Sequence, residues 1–184
     1  RMLGDVAATL TEWASNPLKR ACIIYDGKPH TPLGELLQQM LANGWFSALI
    51  RTEDYYHRWP RSTVGPNALV VGPYSQFHAR VFNDKPDRVI FINQFGMARP
   101  GQIRDGYFPD AVFSDPCLIM PIIAAVLDER LGGKPKTVSE LIQELDAYGG
   151  MASEVAHGAH TLHTMVTDPD CTVMLTLSGA MTPA

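Results

Sequence analysis

Residues 21–50 read ACIIYDGKPHTPLGELLQQMLANGWFSALI, and this stretch decides the fold. Ala21–Tyr25 is a short apolar run with turn residues after it, the pattern of a strand buried on both faces. Thr31 then offers a side-chain oxygen that can cap a helix, and Pro32 suits the first helical position, where its missing N–H costs nothing. Leu33, Leu36, Leu37, Met40 and Leu41 recur at the spacing of one helical face, and Asn43-Gly44 stops the run. Ser47–Ile50 is apolar again, so two strands flank one helix, as a parallel crossover requires.

The same alternation continues outward. Val6–Trp13 has helical spacing and is closed by Asn16-Pro17. Ala68–Val71, Arg88–Asn93 and Ala111–Phe113 are further strand candidates, and Cys117–Leu131 is a mostly apolar helix ended by Gly132-Gly133. The pattern predicts an α/β fold, a Rossmann-like, mostly parallel sheet with helices on both faces.

After a linker at 132–136 the pattern changes. Thr137-Val138-Ser139-Glu140 is a capping box, with Val138, Leu141, Ile142 and Leu145 as an apolar stripe. A second helix carries Val155, Ala159, Leu162 and Val166 and ends at Asp168-Pro169-Asp170. Cys171–Leu177 is apolar enough for the middle of a sheet. Residues 1–131 thus read as one α/β unit, and 137–184 as a helix–helix–strand segment that opens another.

Composition narrows the partners. The 184 residues are 46% apolar and 18% charged, and 15 Lys and Arg against 19 Asp and Glu leave a formal charge of −4. At about 150 residues per domain this predicts one domain or two small ones, with a core that needs no staples. The acidic balance argues against nucleic acid and anionic membranes, since no basic excess is present to meet phosphates. No apolar run approaches the length of a membrane span. Cys22, Cys117 and Cys171 are widely spaced without a C-x-x-C pair, which suits buried, reduced thiols in a cytoplasmic protein. The chain begins at Arg1 rather than Met, which reads as a fragment or a processed chain.

Candidate chemistry lies after strands, because open α/β sheets bind ligands outside the carboxyl ends of their strands. One such loop is Asp26-Gly27-Lys28-Pro29-His30-Thr31, which brings a carboxylate, an amine and an imidazole to a helix start. Another is Ser178–Pro183, whose small residues would let a ligand approach the backbone. His157, His160 and His163 form H-x-x-H-x-x-H, but they fan over about 120° at ~100° per residue, a solvated face rather than a metal site. Tyr55–Arg61 mixes aromatic and basic residues and reads as a loop packed on its own domain. No G-x-S-x-G, P-loop or H-E-x-x-H sequence occurs.

The capping box T-V-S-E-L-I, the Gly149-Gly150 pair, the helix after it and D-P-D-C-T-V-M-L-T-L-S-G-A-M-T-P-A together resemble the deoxyhypusine synthase family over 137–184. That stretch is similar to the family's first core strand and the turn after it. The resemblance implies that Gly179, Ala180, Met181, Thr182 and Pro183 line an NAD site. In the family this segment opens the NAD domain; here it closes the chain. The earlier residues resemble the other end of the same fold: Asp5–Thr52 follows its element order. Gly101-Gln102-Ile103-Arg104 with Val112–Pro121 is similar to its G-K-I block, last strand and final helix. Asp115 then falls at a position that contacts NAD. Gln102 falls where the family has the lysine that takes up the aminobutyl group as an imine, and an amide cannot form that adduct. Glu53–Phe82 has no counterpart. The order of segments is that of a tandem fusion cut at both ends, a permuted chain or a divergent relative.

The resemblance implies NAD-dependent transfer of the aminobutyl group of spermidine to an amine acceptor, a protein lysine or a polyamine. It also implies a homo-oligomer, since the family forms tetramers with active sites between subunits. Two other readings stand beside it. One is a non-catalytic nucleotide-binding or assembly module of the same fold. The other is an unrelated α/β hydrolase or transferase that uses the Asp26–Thr31 loop.

Overall fold

The computed structural model describes residues 3–51, 66–72, 88–93, 110–113 and 115–174. Five strands form one sheet: β1 (Cys22–Tyr25), β2 (Ala48–Arg51), β3 (Asn67–Val71), β4 (Arg88–Asn93) and β5 (Asp110–Phe113). The order across the sheet is β2-β1-β3-β4-β5, and all four pairings are parallel. Every carboxyl end therefore lies at one edge. This is a doubly wound order, in which the chain reverses its direction of travel between β1 and β3.

Among the described residues, five helices accompany the sheet: α1 (Leu3–Ser15), α2 (Pro32–Ala42), α3 (Pro116–Arg130), α4 (Val138–Tyr148) and α5 (Gly150–Thr167). Thr31 caps α2 as its sequence requires, with Oγ1 accepting from Gly34 N at 3.1 Å. Thr137 and Glu140 complete the expected capping box of α4.

One core lies between the sheet and the first three helices. Val6, Leu10 and Trp13 of α1, Leu37 and Met40 of α2, and Met120, Ile123 and Leu127 of α3 meet Ile23, Leu69, Ile90 and Ile92 there. Trp13 also stacks against Arg88, whose guanidinium carbon lies 5.6 Å from the ring centroid. Strand residues alternate in direction, so Cys22, Ile24, Ile50, Val70, Val89 and Phe91 form a second buried cluster on the opposite face. The described helices α1, α2 and α3 all pack on the first face.

Among the described residues Asn67 is the buried polar one, and its Nδ2 donates to the Lys19 carbonyl at 2.6 Å. The bond ties the start of β3 to the chain entering β1.

The helices α4 and α5 pack as a pair on α3. Leu145, Ala152 and Ala156 are buried there against Cys117, Leu118 and Tyr148. Three expectations fail in this region, the first being Val138 of the α4 stripe, which is exposed. The stripe Val155, Leu162 and Val166 is exposed, and the small residues Ala152 and Ala156 take the packed side instead. Close helix packing favours small side chains here, and apolar spacing alone does not say which arc is covered. Cys171–Met174 is not a strand, and Val173 and Met174 are exposed. A strand needs a neighbour to pair its backbone, and these residues have none among the described strands. Residues 175–184 lie outside the described part.

Candidate functional site

The topological crossing between β1 and β3 opens a cleft of about 400 Å³ at the carboxyl edge of the sheet. That is within the ~300–1,000 Å³ of small-ligand sites, at the place where doubly wound sheets bind them. Its walls are the Tyr25–Lys28 turn, Thr31–Leu33 at the start of α2, Gly72 after β3, Asp115–Cys117 at the start of α3, and Tyr148 at the end of α4.

The first wall is held by its own hydrogen bonds. Thr31 Oγ1 donates to the Lys28 carbonyl at 2.9 Å, and the Tyr25 hydroxyl lies 3.1 Å from Thr31 Oγ1. Gly27 lies beneath that phenol, and an added Cβ would displace the Tyr25 ring and hydroxyl. Gly34 is required: a Cβ there would meet the Lys28 and Pro29 carbonyl oxygens at 2.6 Å. The first turn of α2 thus sits directly on the loop.

Opposite, Gly72 adopts φ +144° and passes so close to Asp26 that an added Cβ would lie 2.7 Å from the Asp26 Cβ. Asp26 N donates to the Val71 carbonyl at 2.9 Å. These contacts draw the two strand ends together at the floor of the cleft.

Asp115 is the N-cap of α3. Oδ1 accepts from Cys117 N at 2.9 Å and Oδ2 from Met151 N at 3.3 Å, so one carboxylate serves the first turns of α3 and α5. A carboxylate has about four acceptor positions, which leaves room for ligand hydroxyls.

Burial pushes the Cys117 thiol up to about 11, helped by the neighbouring Asp115 charge. Burial likewise raises the Tyr25 phenol, against the opposing effect of its hydrogen bond with Thr31. The Tyr148 phenol is also raised, by burial and then by the Glu144 charge. All three groups stay protonated at neutral pH, and none is an activated nucleophile.

The sequence candidates divide. The Asp26–Thr31 loop and Asp115 come together in one cleft, which their separation along the chain did not reveal. His30 is exposed and does not line it, so the hydrolase reading loses its imidazole at this site. Gln102, Gly179, Ala180, Met181, Thr182, Pro183 and the Tyr55–Arg61 cluster lie outside the described residues. His157, His160 and His163 are exposed, and His157 Nε2 lies 3.2 Å from Asp146 Oδ1. Gly72, Cys117 and Tyr148 escaped the sequence reading; the turn after a strand was a usable signal only for Gly72.

The Lys28 amine, the Tyr148 hydroxyl and the carboxylates of Asp26 and Asp115 belong to residues that line the cleft, a set of polar groups suited to a small polar ligand. The glycine-rich turn that usually cradles the pyrophosphate is absent from this first strand–helix loop. Asp115 places a negative charge where α3 would otherwise attract an anion.

No described helix is long and apolar enough to cross a membrane. No protein-family model matches the chain, and no curated protein or solved structure matches it either.

Proposed function

We propose that the chain binds NAD through the β1/β3 cleft and takes part in NAD-dependent transfer of an aminobutyl group from spermidine to an amine, a protein lysine or a polyamine. One observation carries the binding part: the Asp26–Thr31 loop and the Asp115–Cys117 helix start meet across a single cleft at the sheet's crossing point. The reaction rests on the resemblance in the sequence. NAD would supply hydride acceptance and return. In this reading, Asp115 and Asp26 orient the ribose hydroxyls, Lys28 meets the phosphate edge, and the protonated Tyr148 donates a hydrogen bond. The resemblance assigns further cofactor contacts to Gly179–Pro183.

Calorimetric titration with NAD, NADH and spermidine tests the proposal. Heat with either dinucleotide, weakened by Lys28→Glu, supports it. The absence of heat at protein concentrations well above micromolar overturns it.

The second reading, a binding module without chemistry, is favoured by the protonated state of Cys117, Tyr25 and Tyr148 and by the amide at Gln102. Dinucleotide binding without turnover of spermidine would select it.

A further inference from the structure

The helix α5 lies at the surface with the composition of a covered element. Its 18 residues include one formally charged side chain, Glu154. Only Ala152 and Ala156 are buried, and every residue from His160 to Asp170 is exposed. The last turns therefore project beyond the packing with α3 and α4. A projecting helical end is marginal in water unless its apolar side is covered.

That apolar side is a continuous strip. Met151 is 45% exposed, Val155 40%, Leu162 53% and Val166 65%. At ~100° per residue the four fall within about 60° of arc, with Gly158 and Ala159 bordering the strip at its middle. An exposed strip of this kind marks an association site.

We infer that α5 packs against α5 of a second copy of this chain, antiparallel, across a two-fold axis at Gly158–Ala159. The strip matches itself when turned end for end about that point: Met151 comes level with Val166, and Val155 with Leu162. Self-complementarity of this sort is what an isologous contact uses. The two smallest positions fall at the crossing, where they let the axes approach to about 8 Å. In antiparallel packing like flanks meet, so Glu154 faces Thr161 and Met165 of the other copy and no like charges are opposed. The two strips remove several hundred Å² from water, at the small end of protein interfaces. The dimer is accordingly weak and dependent on concentration.

Sedimentation equilibrium of the full chain tests this. The wild type gives a monomer–dimer equilibrium. Val155→Lys or Leu162→Glu alone weakens it at least about tenfold, with helical circular dichroism unchanged, since both positions face solvent. The double variant restores association, because each introduced lysine lies opposite an introduced glutamate. Should a single variant lose helix, Gly158→Cys replaces the charge test and gives a disulfide-linked dimer under mild oxidation. A wild type that stays monomeric at millimolar concentration overturns the proposal. So does a dimer indifferent to both single variants, or a double variant that fails to recover.

Discussion

The Asp115 carboxylate accepts the backbone N–H of Met151 at 3.3 Å, although the two residues are 36 positions apart. Its other oxygen caps α3 through Cys117 N at 2.9 Å. The starts of α3 and α5 are thereby fixed to the same side chain.

Replacing this group separates its two roles. Asp115→Ala removes a cap and the link to α5, and is expected to cost about 1–2 kcal/mol. Asp115→Asn keeps an acceptor for Cys117 N but turns an amine toward Met151, so it should cost less than the alanine variant. Urea denaturation of the three proteins checks both statements; equal stabilities would rule out the double cap.

Gly72→Ala should be destabilising by about 1–3 kcal/mol, because the new Cβ needs both a positive φ and space that Asp26 already fills. Relief of the clash pushes β1 and β3 apart at the cleft floor. Thermal unfolding reads the loss, and calorimetry should show weaker ligand binding in the same variant. A wild-type melting curve would show that the approach is not tight.

Burial raises the Cys22 thiol from 9.0 to about 12. Below pH 9 both folded and unfolded chains keep this proton, and its contribution to stability is constant. Above it, the unfolded chain releases a proton that the folded chain retains, so stability falls as pH rises, by about 1.4 kcal/mol per unit for a single proton. The stability gap between wild type and Cys22→Ala should therefore narrow from pH 9 upward. A gap that stays constant from pH 8 to pH 11 contradicts this.

Asn67→Leu leaves the Lys19 carbonyl without the Nδ2 donor that now lies 2.6 Å away. The expected cost is about 1–3 kcal/mol. Amide exchange should localise the loosening to β1 and β3, which that bond joins through the chain before β1. Unchanged protection in both strands would show that the contact is dispensable.

Much of the fold was legible because local signals agreed. Thr31-Pro32, the leucine spacing of α2 and Asn43-Gly44 each mark the same helix, and Arg88–Asn93 is β4 to the residue. The failures have physical causes. Ala152 and Ala156 contribute little to an apolar pattern, yet they are the residues that pack, so α5 was read with the wrong side inward. Cys171–Met174 has strand composition, but pairing is not encoded in composition. The cleft needed the sheet order before Asp26 and Asp115 could be seen as neighbours. Gln102 and Gly179–Pro183, which the family resemblance singled out, lie outside the described residues.

The loop between β1 and α2 is tied by Thr31 to the Lys28 carbonyl, by Tyr25 to Thr31 and by Gly34 lying against its carbonyl oxygens. Such a wall is frozen when the protein folds, so an incoming ligand has little motion left to quench there. For a ligand bound as proposed, affinity at this edge depends on which side chain position 28 presents, and that residue is free to vary without rebuilding the scaffold beneath it. Such a site would change its preference for ligands by substitution at its rim while its shape is inherited intact.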